Sequence, residues 1–389
     1  MMLLNSICSK GTIFINLLQQ NTLYIIIDIL NKFNEYQNKY YFNPGALYKV
    51  STDISSKIEE TRKKIVELLK GDTNGTFIFT GTSTEANNII LNSVVTNNKN
   101  EEYVFSSLEH PSVYNYATKL FQEGRKVIFI SIKLDGTINE NELLGSINNN
   151  TKFVSIINVS NETGAINNVN ILAKKIKEIN PKTLVHADGV QALGKIEVNL
   201  SNLDYYTISS HKIHGLKGIA GFYAKNIKTL KPLILGGGQE FNIRSGTTNA
   251  PLIFSFYDVI KKAEENQNLN YAHALELKNY LLEKIKNNKD IEINSSSFGS
   301  PFIISLSVLG LNAETILNML SEKNICVGLG SACSSKKSGN RILESMHKSK
   351  ASILGNLRLS FSKYNTKEEI DIFYKEFEQI IIQLKEKLS

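Results

Sequence analysis

Tyr205-Tyr-Thr-Ile-Ser-Ser-His-Lys212 is an apolar run that ends in polar and basic residues, and the upstream segment Thr183-Leu-Val-His-Ala-Asp188 ends in a carboxylate. Short apolar runs of this kind are typical of strands that are buried on both faces of a sheet. In open α/β sheets, ligands bind in the crevice beyond the carboxyl ends of the strands. The two segments therefore predict strands that carry a carboxylate and a lysine towards a ligand.

Further apolar runs surround these two segments, at Thr76–Phe79, Tyr103–Phe105, Val127–Ile132, Phe153–Val159 and Ile219–Tyr223. Amphipathic stretches alternate with them, at Glu85–Val95, Val113–Phe121 and Ile171–Ile179. This alternation predicts an α/β fold in which a mostly parallel sheet is covered by helices on both faces.

The pattern changes after about Lys261. Long charged amphipathic helices are predicted at about Tyr271–Asn287, Ala313–Lys323 and Lys367–Lys387, and short strands at Ile291–Asn294, Phe302–Val308 and Leu357–Phe361. We therefore predict a large domain of residues 16–260 and a smaller α+β domain made of residues 1–15 and 261–389.

The composition is that of an ordinary soluble protein, with 42% hydrophobic and 21% charged residues in 389. The apolar stretch Leu23–Leu30 is too short to span a membrane and carries Asp28, so it predicts a packed helix or strand. The N-terminal flank lacks the features of a signal peptide, and we expect a cytoplasmic protein. Lysines are spread along the chain and mixed with glutamates, so the net charge of +7 does not predict direct nucleic-acid binding.

Two segments have residue types that suit a phosphate-bearing cofactor, although each also has a plainer interpretation. Thr82 and Glu85 fit a helix capping box, and the helix start with the Ser83 and Thr84 hydroxyls is either a simple cap or an anion site. An Asp and a Lys at strand ends match the needs of pyridoxal phosphate, which takes an anion at its pyridinium nitrogen and an amine for a Schiff base. Taken alone, Asp188 could equally be a helix N-cap and Lys212 a solvent-facing loop residue.

The three cysteines, Cys8, Cys326 and Cys333, form neither a disulfide framework nor a CxxC metal pair. Cys333 has small, flexible and basic neighbours in Gly328-Leu-Gly-Ser-Ala-Cys-Ser-Ser-Lys-Lys-Ser-Gly339, which predict a mobile loop with an accessible thiol. The adjacent lysines would favour its thiolate form. Cys326, in an apolar segment, is typical of a core strand.

Together these segments resemble the cysteine desulfurases, which are pyridoxal-phosphate enzymes of fold type I in the class V aminotransferase group. The resemblance runs from about Tyr40 to the C-terminus and rests on the following motifs in order: Asn43-Pro-Gly-Ala46, Phe79-Thr-Gly-Thr-Ser-Thr-Glu-Ala-Asn-Asn88, Glu109-His-Pro111, Asn161-Glu-Thr-Gly164, His186-Ala-Asp-Gly-Val-Gln-Ala-Leu-Gly-Lys195, Ser209-Ser-His-Lys-Ile-His-Gly-Leu-Lys-Gly218, Gly236-Gly-Gly-Gln-Glu240, Arg244-Ser-Gly-Thr247, Gly330-Ser-Ala-Cys-Ser-Ser335 and Leu357-Arg-Leu-Ser-Phe-Ser362. Each motif is short, but their shared order makes coincidence a poor explanation.

The resemblance implies a role for each matching residue. The cofactor would be bound covalently by Lys212, at its ring nitrogen by Asp188 and at its ring oxygen by Asn161 and Gln191, with His110 stacked over the ring as a catalytic residue. Its phosphate would be held by Ser83, Thr84, Ser209, His211 and, from the other subunit of a homodimer, Thr247. Arg358 and Asn16 would bind the substrate, L-cysteine, and Cys333 would be the persulfide-forming nucleophile. The sulfur would pass to an iron–sulfur scaffold or a tRNA-thiolation enzyme.

Three departures from the family pattern stand out. The segment Ile15-Asn-Leu-Leu-Gln-Gln20 has bulky leucines where the family usually has small residues, Tyr48 stands where a His is common, and the phosphate loop begins Gly81-Thr-Ser-Thr84 rather than Ser-Gly-Ala-Thr. Two alternatives therefore stay open at this point. One is a selenocysteine lyase or another class V lyase or aminotransferase, and the other is a non-catalytic scaffold on the same fold.

Overall fold

The computed structural model of the protein describes residues 15–17, 25–330 and 340–387. Its strands are β1 (Ile15–Asn16), β2 (Thr76–Thr80), β3 (Glu102–Ser106), β4 (Lys126–Ile130), β5 (Thr151–Ile157), β6 (Leu184–Asp188), β7 (Tyr205–Ser209), β8 (Ala220–Ala224), β9 (Ile291–Ile293), β10 (Ile303–Val308), β11 (Ile325–Cys326), β12 (Gly328–Leu329) and β13 (Asn356–Ser360). Its α-helices are α1 (Ile27–Lys39), α2 (Lys49–Leu68), α3 (Ser83–Val94), α4 (Pro111–Gln122), α5 (Glu140–Gly145), α6 (Val169–Ile179), α7 (Ala250–Glu265), α8 (Gln267–Ile285), α9 (Ala313–Glu322), α10 (Arg341–Ser345), α11 (Lys350–Leu354) and α12 (Lys367–Glu386).

The central sheet has seven strands in the order β2-β8-β7-β6-β5-β3-β4. Strand β8 runs antiparallel to both of its neighbours, and the other neighbouring pairs are parallel. The prediction of a mostly parallel α/β sheet is confirmed. Two predicted strands end early because their last residues leave the sheet and form local bridges, Ile132 with Ile138 and Val159 with Ile166.

Helices cover both faces of this sheet because alternate strand residues point to opposite sides. On one face, Ile78, Tyr103 and Phe105 pack in a buried cluster with residues of α3 and α4. On the other face, Phe79 and Val104 belong to the larger core that also contains buried residues of α2, α6 and α7. Strands buried on both sides must be apolar throughout, and this explains why their sequences show no alternation.

A second, antiparallel sheet of four strands has the order β12-β13-β10-β9. Helices α9 and α12 pack together beside it, and α12 also contacts α8, as expected for a smaller α+β unit. Strand β1 pairs in parallel with β11, so Asn16 lies beside Cys326. Helix α7 continues through residue 261. The proposed domain boundaries remain a prediction.

The apolar stretch around Ile27 belongs to helix α1, which packs against α7. Within the described ranges, the helices lack the combination of length and apolar composition that crossing a membrane requires.

Candidate active site

Asp188 and Lys212 lie at the same edge of the central sheet. Strands β6 and β7 are parallel neighbours with Asp188 opposite Thr207, and Lys212 follows β7 in a 3-10 turn formed by residues Ser210–Ile213. The pKa of the Lys212 amine is lowered to about 8, first by burial and then by repulsion from Arg358, while attraction to Asp188 opposes the shift. Lys212 is therefore more reactive as a nucleophile at neutral pH than an ordinary lysine.

The Asp188 carboxylate is 3% exposed and is held from two sides. Its Oδ1 accepts a hydrogen bond from the Val190 N–H at 3.1 Å, and its Oδ2 accepts one from Nδ2 of Asn87 at 3.0 Å. Asn87 lies on helix α3 and also donates to Oγ of Ser112 at 2.8 Å. The sequence did not predict this contact of Asn87 with Asp188, because the two residues are far apart in the chain.

His110 is the N-cap of helix α4, and its Nδ1 accepts from the N–H of Ser112 at 3.2 Å. The Ser112 hydroxyl lies 2.8 Å from the same nitrogen. Burial lowers the pKa of His110, and Lys212 lowers it further while Asp188 raises it. Because Nδ1 is an acceptor, the neutral ring carries its proton on Nε2.

The predicted phosphate residues come from two segments at this edge of the sheet. Thr80 and Ser209 both pair with Ala220 of the strand between them, so the start of α3 and the end of β7 are two strands apart, about 10 Å. Ser83 and Thr84 are the first residues of α3, and the Thr82 hydroxyl accepts from the Glu85 N–H at 3.1 Å. The helix start near Thr82 is confirmed.

The second half of the expected capping box is replaced by a different contact. The Glu85 carboxylate accepts from the N–H of Gly81 at 2.8 Å, and it also accepts from Nε of Arg244 at 2.7 Å. Glu85 therefore joins the loop before α3 to the segment that contains Thr247. Thr247 itself is exposed, and its contact with another subunit remains a prediction.

On the β7 side, Ser209 Oγ lies 2.8 Å from Nδ1 of His211. The pKa of His211 is lowered to about 4, first by burial and then by the nearby lysines, of which Lys212 has the largest effect. The ring is therefore neutral at pH 7 and can serve an anion as a hydrogen-bond donor rather than as a cation.

Arg358 projects from β13 of the small sheet towards the loop after β5. Its Nη1 donates to the carbonyl oxygen of Asn161 at 3.1 Å and lies 3.3 Å from Oε1 of Glu162, to which Nδ2 of Asn161 also donates. Arg358 is 6% exposed, and its Nε has no hydrogen-bond partner within the described part of the chain. A buried, partly satisfied guanidinium is suited to an incoming carboxylate. The sequence did not predict Glu162 as its counter-ion.

Asn16 and Gln191 complete the described members of the predicted set. Asn16 is buried in β1, and the carbonyl oxygen of Leu17 accepts from the N–H of Ser360, two residues beyond Arg358. Gln191 is buried, and its Oε1 accepts from Nζ of Lys195 at 2.7 Å. The sequence assigned no role to that lysine.

Cys333 lies outside the described residues, as does Cys8. Gly330 and Asn340, the described residues on either side of 331–339, both contact Asn356. The N–H of Gly330 donates to the carbonyl oxygen of Asn356 at 3.4 Å, and Nδ2 of Asn340 donates to its Oδ1 at 3.1 Å. Cys326 is half-buried in β11, and burial raises the pKa of its thiol, so it is less reactive than an ordinary cysteine.

Glu109 is a buried carboxyl group that the sequence did not single out. It is 0% exposed, and neither of its oxygens has a hydrogen-bond partner in the regions that the structure covers. Burial, followed by repulsion from Asp188, raises its pKa to about 8. Arg341 does not bond to this carboxyl group but donates to the backbone carbonyl oxygens of Ser107 and Glu109.

The chemistry of this edge fits pyridoxal phosphate. An amine with a lowered pKa suits an aldehyde, and a buried carboxylate at the same edge of the sheet suits a ring nitrogen. The N-terminus of α3 with its hydroxyl groups, and the Ser209 hydroxyl and His211 imidazole two strands away, suit a phosphate. The orphaned Nε of Arg358 adds a place for a second anion.

Comparison with known proteins supports this assignment. The family model described as aminotransferase class-V matches residues 15–373. A cysteine desulfurase of Nostoc sp. is 28% identical over 92% of this chain and 90% of its own length, and the cysteine desulfurase IscS of Buchnera aphidicola subsp. Schizaphis graminum is 32% identical over 88% and 86%. A solved NifS-like protein from Rickettsia africae is 28% identical, with a TM-score of 0.83 over 95% of this chain and 99% of its own. The chain belongs to the class-V aminotransferase family, the pyridoxal-phosphate enzymes that include the cysteine desulfurases.

Proposed function

We propose that this protein is a pyridoxal-phosphate-dependent cysteine desulfurase that converts L-cysteine to L-alanine and leaves a persulfide on Cys333. The observation that carries the proposal is the position of Asp188 at the end of β6 and of Lys212 in the turn after the adjacent β7, with the pKa of Lys212 lowered to about 8. The names of the relatives, which are mostly those of cysteine desulfurases, supply the substrate class.

In this proposal the described residues bind and orient. Asp188 would bind the ring nitrogen, Asn161 and Gln191 would contact the ring oxygen, and His110 would stack on the ring. Ser83, Thr84, Ser209 and His211 hold the phosphate, together with Thr247 from a second subunit. Arg358 receives the substrate carboxylate beside Asn16, because a guanidinium matches a carboxylate in shape and charge.

Proton movement falls to two residues. The bound cofactor supplies an electron sink that eases removal of the substrate Cα proton. Lys212, as a free amine with its pKa lowered to about 8, would be a base suited to move that proton. His110 presents Nε2–H because Nδ1 is bound by Ser112, so it can donate a proton or a hydrogen bond but must lose Nε2–H before it accepts one.

The sulfur step belongs to Cys333. Its thiolate attacks the substrate sulfur, an S–S bond forms as the substrate C–S bond breaks, and the electron pair of the broken bond stays with the carbon skeleton, which takes up protons and leaves as alanine. No external oxidant is required. Gly330 and Asn340, which flank this segment, both contact Asn356, two residues before Arg358, and this supports placing the thiol on the substrate side.

We further propose that the protein acts as a cytoplasmic homodimer and that the persulfide sulfur passes to an iron–sulfur scaffold, a tRNA-thiolation enzyme or both. The site retains the proposed amine, carboxylate and guanidinium despite the bulky Leu17, which is fully buried in the core rather than projecting into solvent.

The decisive experiment measures alanine and sulfide formed from L-cysteine in the presence of a thiol reductant, beside a parallel assay with L-selenocysteine. We expect equal amounts of alanine and sulfide from L-cysteine. Cys333→Ala should keep the yellow colour of the bound cofactor and lose sulfide release, whereas the matched control Cys326→Ala should keep both. Undiminished sulfide release by Cys333→Ala would remove that residue from the mechanism. Turnover of L-selenocysteine alone would identify a selenocysteine lyase instead.

A further inference from the structure

Lys195 ends the motif that begins at His186, and the proposed reaction gives it no role. Its position is fixed by the turn that precedes it. Gly194 has a φ of 66°, and a Cβ at this residue would lie 2.6 Å from Cβ of Ala263 on α7, so only glycine fits. The Gly194 N–H also donates to Oε1 of Glu264 at 3.2 Å. The turn is therefore anchored on α7, and Lys195 starts from a defined backbone position.

The Lys195 side chain contacts Gln191, which lies four residues earlier in the chain. Its Nζ donates to Oε1 of Gln191 at 2.7 Å. In its protonated form, Lys195 has three donors and no acceptor, so it bonds only to the oxygen of a side-chain amide. The contact therefore decides which way the amide points: the oxygen faces Lys195, and the NH2 group faces the opposite side. Gln191 is 5% exposed, so solvent does not compete for this orientation.

Lys195 also shares a cavity with Lys212. The charged residues that line this cavity include Lys195, Lys212, Lys262 and Lys363. The positive charge of Lys262 is compensated by an ion pair with exposed Asp28, whose Oδ2 lies 2.7 Å from Nζ of Lys262. Burial, followed by repulsion from Lys212, lowers the pKa of Lys195 to about 7. Lys195 is thus the cation of this cavity that both contacts Gln191 and influences the amine at position 212.

We propose that Lys195 is a positioning residue, which fixes the side-chain amide of Gln191 so that its NH2 group is presented to the ring oxygen of bound pyridoxal phosphate. The inference rests on the proposed function. The ring oxygen is anionic, so an amide that turned round would place its own oxygen against it and repel it. Lys195 prevents that reversal at the cost of burying an amine.

The test uses the full-length chain and three single variants. Lys195→Met removes the donor and the charge but keeps the length, and Lys195→Arg keeps a donor and a charge. Lys262→Met is the matched control, because it removes a cation from the same cavity. For each we would measure the dissociation constant of pyridoxal phosphate and the pH midpoint of the absorbance change of the bound cofactor.

We expect Lys195→Met to weaken cofactor binding about tenfold, the loss of one hydrogen bond to a charged group. We also expect it to raise the pH midpoint by about one unit, because a donor to the ring oxygen stabilises its anionic form. Lys195→Arg should keep most of the parent's cofactor affinity and a pH midpoint close to that of the parent, and Lys262→Met should change neither quantity. A purely structural role would change the thermal midpoint but leave the spectroscopic midpoint where it is.

A double-mutant cycle with Gln191→Leu shows whether Lys195 acts through the amide. We expect Lys195→Met to add little in that background, since the amide it orients is gone. Full additivity, or an unchanged spectroscopic midpoint in Lys195→Met, would overturn the inference. If the parent chain bound no cofactor, the proposed function would fail; if it bound cofactor and the Lys195 variants behaved like the parent, only this inference would fail.

Discussion

Nδ2 of Asn87 donates a hydrogen bond to Oδ2 of Asp188 at 3.0 Å, across a separation of 101 residues in the chain. The carboxylate accepts only, so this contact orients the Asn87 amide just as Lys195 orients Gln191. The same Nδ2 donates to Ser112 Oγ, which leaves the Ser112 hydroxyl proton for Nδ1 of His110. One amide thus connects the carboxylate that is proposed to bind the ring nitrogen to the imidazole that is proposed to stack on the ring.

Asn87→Ala should weaken cofactor binding and lower stability together. It removes a donor from a buried carboxylate, a loss of about 1.5–3 kcal/mol. Urea unfolding and cofactor titration would measure the two effects. Asn88→Ala is the matched control, because Nδ2 of the neighbouring Asn88 donates to the carbonyl oxygen of Thr84 on an exposed part of the same helix. Equal behaviour of the two variants would contradict a special role for Asn87.

The rate at which the cofactor-free chain takes up pyridoxal phosphate should rise with pH and level off above about 8, because only the neutral Lys212 amine attacks an aldehyde and its pKa is lowered to about 8. Burial is the main cause and repulsion from Arg358 the second. Arg358→Leu should therefore move the midpoint of this profile upward, towards the ordinary lysine value. Arg358→Lys, which keeps the charge, should leave it near the parent value; a downward shift in Arg358→Leu would refute this electrostatic account.

Stability should depend on pH through Glu109. Burial, followed by Asp188, raises the pKa of this carboxyl from 4.5 to about 8. Between these values the folded chain keeps a proton that the unfolded chain has lost, so stability falls as pH rises from about 5 to 8 and then levels off. Glu109→Gln has no titrating group at this position. The difference in unfolding free energy between Glu109→Gln and the parent should therefore change in favour of the variant by at most about 1.4 kcal/mol per pH unit across that window. The prediction would be wrong if the unfolding free energies of the two proteins, measured with urea, changed equally with pH across this window.

The loop before Thr247 should depend on a buried ion pair. Nη1 of Arg62 lies 2.8 Å from Oε2 of Glu240, which also accepts from the N–H of Phe79 at 2.8 Å. Glu240 and the two residues after it all have positive φ, between 48° and 65°, a strained conformation that needs such an anchor.

Arg62→Met should cost about 3–5 kcal/mol, because it leaves the Glu240 carboxylate buried and unpaired. Adding Glu240→Gln should restore part of this loss. Urea unfolding is the measurement, and Lys64→Met, which breaks an exposed pair with Glu60 one turn along the same helix, should cost under about 0.5 kcal/mol. A similar loss in both single variants would mean that burial of the pair is unimportant.

Apolar patterning alone predicts the strands, most of the helices and the edge of the sheet that carries the candidate site. Strands that are buried on both faces must be apolar throughout, and polar residues mark where such a run ends, as at Asp188, the last residue of β6, and at Lys212, three residues after β7. The sequence also predicted Arg358 as the residue that binds the substrate carboxylate, because the motif that contains it is formed by adjacent residues. Cys333 was predicted as the nucleophile in the same way; it lies outside the described residues, and its role remains a prediction.

Packing between distant segments sets which groups hold these side chains. Asn87 with Asp188, Glu162 with Arg358, and Glu240 with Arg62 are pairs from segments 101, 196 and 178 residues apart. Hydrogen bonds of this kind depend on how helices and sheets pack, and neither spacing nor local pattern records that packing. The lowered pKa of Lys212 and the raised pKa of Glu109 have the same origin, because both arise mainly from burial, which the chain acquires only when its layers close over the site.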